Sequence, residues 1–310
     1  MTNEDWTRYV DTSDEWIVER TGIHQRRFAG EKETTVDLGM AAARLAMEEA
    51  AVQPGELREI IVATDTPEVY NPDTAAYIQH QIGAGEVPAY DLAGSGCAGF
   101  LQAVDLACSR VAVRGGPILV LGVEAISKIM SWQDRNTCVL FGDGAGAMVI
   151  DQGQDLVEVL AVTTGTDGSK ADILGKEIGG TRVPFSKEVA EDNVHNRVVM
   201  NGREVFKEAV SRMSAAAHEV LNQVGWSTDD IDLFVPHQAN IRILHSVAKS
   251  LGFPLEKVYI NVQDYGNTGS ASVPLALWEA RNKGMVPAGS KVLLTAFGAG
   301  FHWAAVLLQF

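Results

Sequence analysis

Cysteine is scarce in this 310-residue chain. Three are present, Cys97, Cys108 and Cys138; an odd number without C-x-x-C spacing argues against both a disulfide framework and a structural zinc site. Positive charge is also short: 25 Lys and Arg face 40 Asp and Glu, for a formal net charge of -15. Such a field repels nucleic acid and anionic membranes, so any anionic partner must be met by a local basic patch. No run of about 18 uninterrupted apolar residues occurs, and the acidic opening residues lack the apolar core of a secretion signal. Together these absences imply a soluble, cytoplasmic protein that engages neither nucleic acid nor membrane. What is present is apolar: hydrophobic residues make up 46%, ample for a buried core in one large or two ordinary domains.

Apolar runs alternate with amphipathic stretches. Ile60 to Thr64, Ile118 to Val123 and Val292 to Phe297 read as buried strands with helical patterns between them, the rhythm of an α/β fold. The chain also repeats itself. Val52 to Thr64 (V-Q-P-G-E-L-R-E-I-I-V-A-T) aligns with Val224 to Val235 (V-G-W-S-T-D-D-I-D-L-F-V), each a helix end, a polar turn and an apolar strand. The stretches from Ile60 to Cys97 and from Ile231 to Asn267 differ in length by a single residue, and both end in a small-residue turn before a helix. F-G-D-G-A-G-A-M-V-I from Phe141 and F-G-A-G-F-H-W-A-A-V from Phe297 close the halves alike. The boundary is set at 160/161, and without a Pro/Ser-rich linker the halves are expected to share one core. Residues 165–199, containing G-T-D-G-S-K, G-K-E-I-G-G-T-R-V-P and E-D-N-V-H-N, lack periodicity and read as a long irregular insertion, either an entrance loop or a plain surface excursion.

Three clusters can carry chemistry. D-L-A-G-S-G-C-A-G-F-L-Q-A-V-D-L-A from Asp91 places Cys97 between a glycine turn and a helix start, where free N–H groups and the helix dipole are expected to lower the thiol pKa. P-H-Q-A-N-I-R-I puts His237 at the C-terminal end of an apolar strand. D-Y-G-N-T-G-S-A-S sets Asn267 before another helix. Taken singly, each has a plain reading: a core cysteine, a satisfied histidine, a helix cap. The duplication joins them, because it gives Cys97 and Asn267 equivalent positions.

These motifs, with D-T-S-D-E-W-I-V-E-R-T-G-I from Asp11 and D-R-N-T-C-V-L-F-G-D-G-A-G-A from Asp134, span nearly the whole chain. The chain resembles the β-ketoacyl-acyl-carrier-protein synthase III enzymes that begin bacterial fatty-acid synthesis. The resemblance implies a thiolase-like, five-layered α-β-α-β-α fold, a homodimer, and a decarboxylative Claisen condensation. Cys97 would take an acyl group, typically acetyl, from coenzyme A. His237 and Asn267 would stabilise the enolate formed as malonyl-acyl carrier protein loses carbon dioxide. Backbone N–H groups of Cys97 and Ala299 would form the oxyanion hole. The resemblance further implies that Trp16 and Arg135 embrace the adenine of coenzyme A, that Arg20 lies near its phosphates, and that Asn240 belongs to the same coenzyme A-binding set while supporting the active-site hydrogen bonds. No cofactor or metal is called for, the coenzyme A thioester being a substrate.

An acidic carrier protein meeting an acidic enzyme needs local positive charge, for which Arg242, Lys249, Lys207 and Arg203 are the candidates. Asn71 stands where many members carry a phenylalanine that reaches across the dimer to close the acyl pocket, and Phe297 is assigned to the same gate. Ala299 replaces a frequent glycine, and Gly94 and Ser95 replace frequent alanines. Members usually open with an apolar strand and glycine loop ahead of the segment matching Thr2 to Trp16; this sequence shows none, and either Met1 is an internal methionine taken for the start or a real truncation exposes an edge of a central sheet. Rival readings are a starter-unit enzyme of polyketide or other secondary metabolism, a Cys-His thioester hydrolase with His237 as base, and a non-catalytic carrier-protein-binding relative.

Overall fold

The computed structural model describes residues 1–153, 157–191 and 198–310. Two short helices, α1 (Asn3–Trp6) and α2 (Asp14–Thr21), open the chain. The Ser13 side chain accepts the Trp16 N–H to start α2, and Gly22, at φ 75°, ends it in the left-handed conformation that favours glycine.

The first half supplies α3 (Thr35–Glu49), β1 (Glu59–Ala63), α4 (Thr74–Ile82), β2 (Ala89–Leu92), α5 (Gly99–Arg114), β3 (Ile118–Glu124), α6 (Arg135–Cys138) and β4 (Gly144–Ile150). Its sheet runs β2–β1–β3–β4, parallel except for β4. The second half begins with β5 (Glu158–Thr166), just ahead of the expected boundary. It continues through α8 (Gly202–Val224), β8 (Leu233–Pro236), α9 (Ile241–Leu251), α10 (Val262–Tyr265), α11 (Ser272–Asn282), β9 (Lys291–Gly298) and β10 (His302–Gln309). Its sheet runs β5–β10–β9–β8. Between β5 and α8, a two-stranded ladder of β6 (Leu174–Gly175) and β7 (Val199–Met200) closes the base of the irregular insertion, which also holds α7 (Lys187–Glu191). Most of the E-D-N-V-H-N segment lies outside the described residues.

The duplication is visible strand by strand. β1, β3 and β4 correspond to β8, β9 and β10, with the same parallel, then antiparallel, pairing. Val258 bridges Phe234 in parallel where β2 flanks β1. The sheets differ at one edge. β10 is flanked by β5, whereas no described strand pairs with the outer side of β4, an uncharged G-A-G-A-M-V-I.

Helices α3 and α4 cover the outside of the first sheet, α8 and α9 the outside of the second, and α5 and α11 lie between the sheets. That is the expected α-β-α-β-α stack. Its middle layer is one continuous core containing Ile61, Phe100, Val104, Val235, Leu294 and Val306, so neither half is packed independently. The Gly96–Arg114 segment is long and apolar enough to cross a membrane, but Phe100, Leu101, Val104 and Val111 on it are buried in this core. Gly122 of β3 marks how closely the halves approach: a Cβ there would fall 2.4 Å from Ser270 O. Gly122→Ala is therefore expected to cost roughly 2–3 kcal/mol in denaturant unfolding, because backbone must move to admit one methyl group.

Candidate active site

Cys97 is reached through a tight turn. Asp91, in β2, accepts the N–H groups of Thr74 and Ala75 at 2.8 Å each, fixing the strand end against α4. The chain then turns through Gly94 (φ 80°) and Gly96 (φ 52°) into a short 3-10 turn, Gly96–Ala98, that feeds α5. Gly96 also has no room for a side chain, since a Cβ would lie 2.6 Å from Ala299 N; one at Gly298 would lie 2.5 Å from Cys97 N. The turns bearing the two expected oxyanion-hole donors thus abut.

The thiol does not behave as its helix-start position suggested. Burial pushes Cys97 up to about 12, and the negative charges of Glu124 and Asp65 add to the effect. Burial outweighs what the turn's free N–H groups offer a thiolate, so the resting nucleophile is a thiol. Its sulfur lies 3.7 Å from Asn267 Oδ1, a contact made across the two halves.

Asn267 occupies the turn before α11, held by backbone bonds from its N–H to Leu140 O (2.8 Å) and from Gly142 N–H to its carbonyl (2.9 Å). Its Oδ1 accepts the Gly269 N–H at 2.9 Å as well as facing the thiol. The amide N–H groups are what this side chain has left to offer a ligand. As in the nucleophile half, a 3-10 turn, Gly269–Ala271, leads from the functional residue into its helix.

His237 follows β8, its N–H bonded to Thr295 O at 2.7 Å. The ring is 3% exposed, and burial holds its pKa down to about 3. Nδ1 lies 2.6 Å from Ser272 Oγ, which also accepts the Gln238 N–H at 3.1 Å. With the Ser272 hydroxyl hydrogen on Nδ1, the neutral ring carries its own hydrogen on Nε2 and becomes a donor. Gln238, fully enclosed, ties this turn to Pro236, Tyr259, Asn261 and Val262.

At a separate surface, Trp16 is stacked by Arg20 (4.5 Å) and Arg135 (4.8 Å), and Arg135 also donates to Asp11 O at 2.7 Å. The structure brings these three side chains together. Asn240 caps α9 through the Arg242 N–H (2.8 Å) and donates to Arg20 O (3.0 Å), which sets it beside the Trp16 surface. Arg203, Lys207, Arg242 and Lys249 are exposed on α8 and α9, with Arg242 donating to Glu19 O at 2.8 Å. Asn71 is exposed in the loop between β1 and α4, beside Tyr70 at 89% exposure, whereas Phe297 is buried against Phe301 with ring centroids 4.7 Å apart. Sequence reasoning missed Ser272, Gln238, Asp65 and Glu124. Only Ser272 left a local signal, in the hydroxyl-rich S-A-S after Asn267.

Residues 90–168 match the family model described as 3-oxoacyl-[acyl-carrier-protein] synthase III, and residues 221–310 match its C-terminal counterpart. A β-ketoacyl-[acyl-carrier-protein] synthase III of Oleidesulfovibrio alaskensis is 45% identical over 315 aligned positions, spanning 100% of this chain and 94% of that protein. The crystal structure of 3-oxoacyl-[acyl-carrier-protein] synthase III from Aquifex aeolicus VF5 superposes with TM-score 0.91 at 42% identity, covering 100% of this chain and 95% of that one. The priming β-ketosynthase of the R1128 polyketide biosynthetic pathway gives 0.90 at 36% identity, covering 100% and 92%.

Proposed function

Because the chain belongs to the 3-oxoacyl-[acyl-carrier-protein] synthase III family, we propose that it joins an acyl-CoA, with acetyl-CoA as the expected donor, to malonyl-acyl carrier protein, giving 3-oxoacyl-carrier protein, coenzyme A and carbon dioxide. This is the initiating condensation of fatty-acid synthesis. The observation that carries the reading is the Cys97–Asn267 contact, which sets a nucleophile from one half beside the amide side chain of the other.

In the first half-reaction the Cys97 sulfur attacks the acyl-CoA thioester, the oxyanion faces the N–H groups of Cys97 and Ala299, and coenzyme A departs carrying the thiol proton. In the second, the malonyl thioester oxygen receives hydrogen bonds from His237 Nε2–H and the Asn267 amide. Those donors stabilise the enolate as the carboxylate leaves as carbon dioxide. The enolate carbon attacks the Cys97 thioester, and the released sulfur regains a proton.

Trp16, flanked by two guanidinium groups, offers an adenine a face to stack on, and Arg20 supplies charge for phosphate. Arg203, Lys207, Arg242 and Lys249 are the cations on the surface assigned to carrier docking. A homodimer is supported by two neighbouring features of the first half: β2 is a sheet edge, and the Val69–Tyr70 tip is exposed. Asn71 would reach the partner's acyl pocket from that tip, its small polar side chain leaving the pocket open to longer donors. The reaction is assigned to the cytoplasm.

Intact-mass labelling with acetyl-CoA and with longer and branched acyl-CoA tests the donor assignment, acetyl being expected as a covalent adduct on Cys97. In the same assay Trp16→Ala is expected to raise the KM for acyl-CoA about tenfold with kcat little changed, the loss of one stacking surface being worth about 1.4 kcal/mol. An unchanged KM would remove Trp16 from the coenzyme site.

A further inference from the structure

Two carboxylates stand beside the nucleophile, and the condensation chemistry above uses neither. Glu124, at the end of β3, is 2% exposed. Both of its oxygens lie 3.2 Å from the Asp65 backbone N–H, Thr66 Oγ1 donates at 2.7 Å, and Ser270 Oγ is 2.9 Å away. Ser270 belongs to the turn that follows Asn267, so this side chain crosses from one half to the other. The hydrogen count is informative. Ser270 Oγ also lies 2.8 Å from Ala63 O, a pure acceptor, and has a single hydrogen for the two contacts. Both contacts are hydrogen bonds at once when Ser270 donates to Ala63 O and Glu124, as a carboxylic acid, donates to Ser270. Desolvation and the Asp65 charge push Glu124 up to about 8, consistent with that proton at neutral pH.

Asp65 continues the connection. Its Oδ1 accepts the Gly94 N–H at 2.7 Å, and the carboxylate also meets the Gly96 N–H, so it holds the turn that ends in Cys97. Part of Asp65 reaches solvent, yet protein surrounds the carboxylate closely enough for desolvation to raise it. The titratable groups facing the pair are Cys97 and His302, whose Nδ1 lies 2.8 Å from Thr166 Oγ1.

We infer that Asp65 and Glu124 are a positioning pair for the condensation: Glu124, protonated, ties the Asn267 turn to the end of β1, and Asp65 clamps the glycine turn that presents Cys97. The inference rests on the condensing reading for its meaning but not for its test. A further consequence is electrostatic. Above pH 8 Glu124 loses its proton and two negative charges oppose ionisation of the thiol.

The test is alkylation of Cys97 by iodoacetamide, followed by peptide mass across the neutral-to-alkaline range, beside acyl-transfer turnover of the same proteins. Asp65→Asn and Glu124→Gln each remove one charge, and each is expected to lower the alkylation midpoint by about one pH unit. Asp65→Ala also removes the acceptor for Gly94 and is expected to lose about tenfold in acyl-transfer kcat, most of which Asp65→Asn restores by keeping an acceptor oxygen. Should Glu124→Gln not fold, the two Asp65 variants decide alone. Wild-type midpoints in the amide variants, or an Asp65→Ala protein that turns over normally, would overturn the inference. Shifted alkylation midpoints in a protein that never condenses would count against the function instead and leave the clamp standing.

Discussion

Cys97→Ala is expected to lose condensation by more than about 10⁴-fold, because the reaction has no acyl enzyme without a nucleophile. Decarboxylation of malonyl-carrier protein should survive in the same variant. The two activities separate because the groups that serve them are separate: the sulfur comes from the turn before α5, whereas the enolate donors come from the turns after β8 and before α11. Alanine in place of Cys97 leaves Asn267 Oδ1 its bond to Gly269 N–H, so the amide keeps its orientation. Carbon dioxide release without product is therefore the signature of this variant. Loss of both activities would mean that Cys97 takes part in decarboxylation as well.

The converse is expected of His237→Ala: acyl labelling of Cys97 persists, and carbon dioxide release falls by about 10²–10³-fold, the usual cost of one donor to a developing oxyanion. The argument depends on the imidazole being neutral. A folded-state pKa depressed to about 3 means that His237 gains a proton only in strong acid, so it stays a neutral donor throughout the physiological range. Decarboxylation should accordingly show no inflection from His237 between about pH 5 and 8, where an ordinary histidine would titrate. An inflection near pH 6.5 that vanishes in His237→Ala would show that the charged ring takes part and that the buried, Ser272-bonded geometry is not the working one.

Much of this site was legible in the sequence because its parts sit in repeated local contexts. β1, β3 and β9 fall within a residue or so of the apolar runs that announced them. The parallel spacing from Ile60 to Cys97 and from Ile231 to Asn267 marked two matching turns that the structure brings into contact. What escaped was long-range. The Glu124–Ser270 bond joins residues 146 apart in sequence, and no local pattern announces a carboxylate whose partners come from other elements. For the same reason the local reading gives the Cys97 thiol the wrong sign: the helix start is visible in sequence, whereas the burial that raises the thiol, and the Glu124 and Asp65 charges that add to it, come from the packed structure. Asn240, placed before I-R-I, has the local context of a helix cap, and its Oδ1 makes that cap to the Arg242 N–H.

The central claim is that one site couples acyl transfer to decarboxylation. Its most direct test incubates the protein with acetyl-CoA and malonyl-acyl carrier protein, following carbon dioxide and the carrier-bound product by intact mass beside Cys97→Ala. The account predicts acetoacetyl-carrier protein in equal amount to carbon dioxide for the native chain, and carbon dioxide alone for the variant. Free acetate from acetyl-CoA with no carrier-bound product would contradict it and assign the cysteine to thioester hydrolysis.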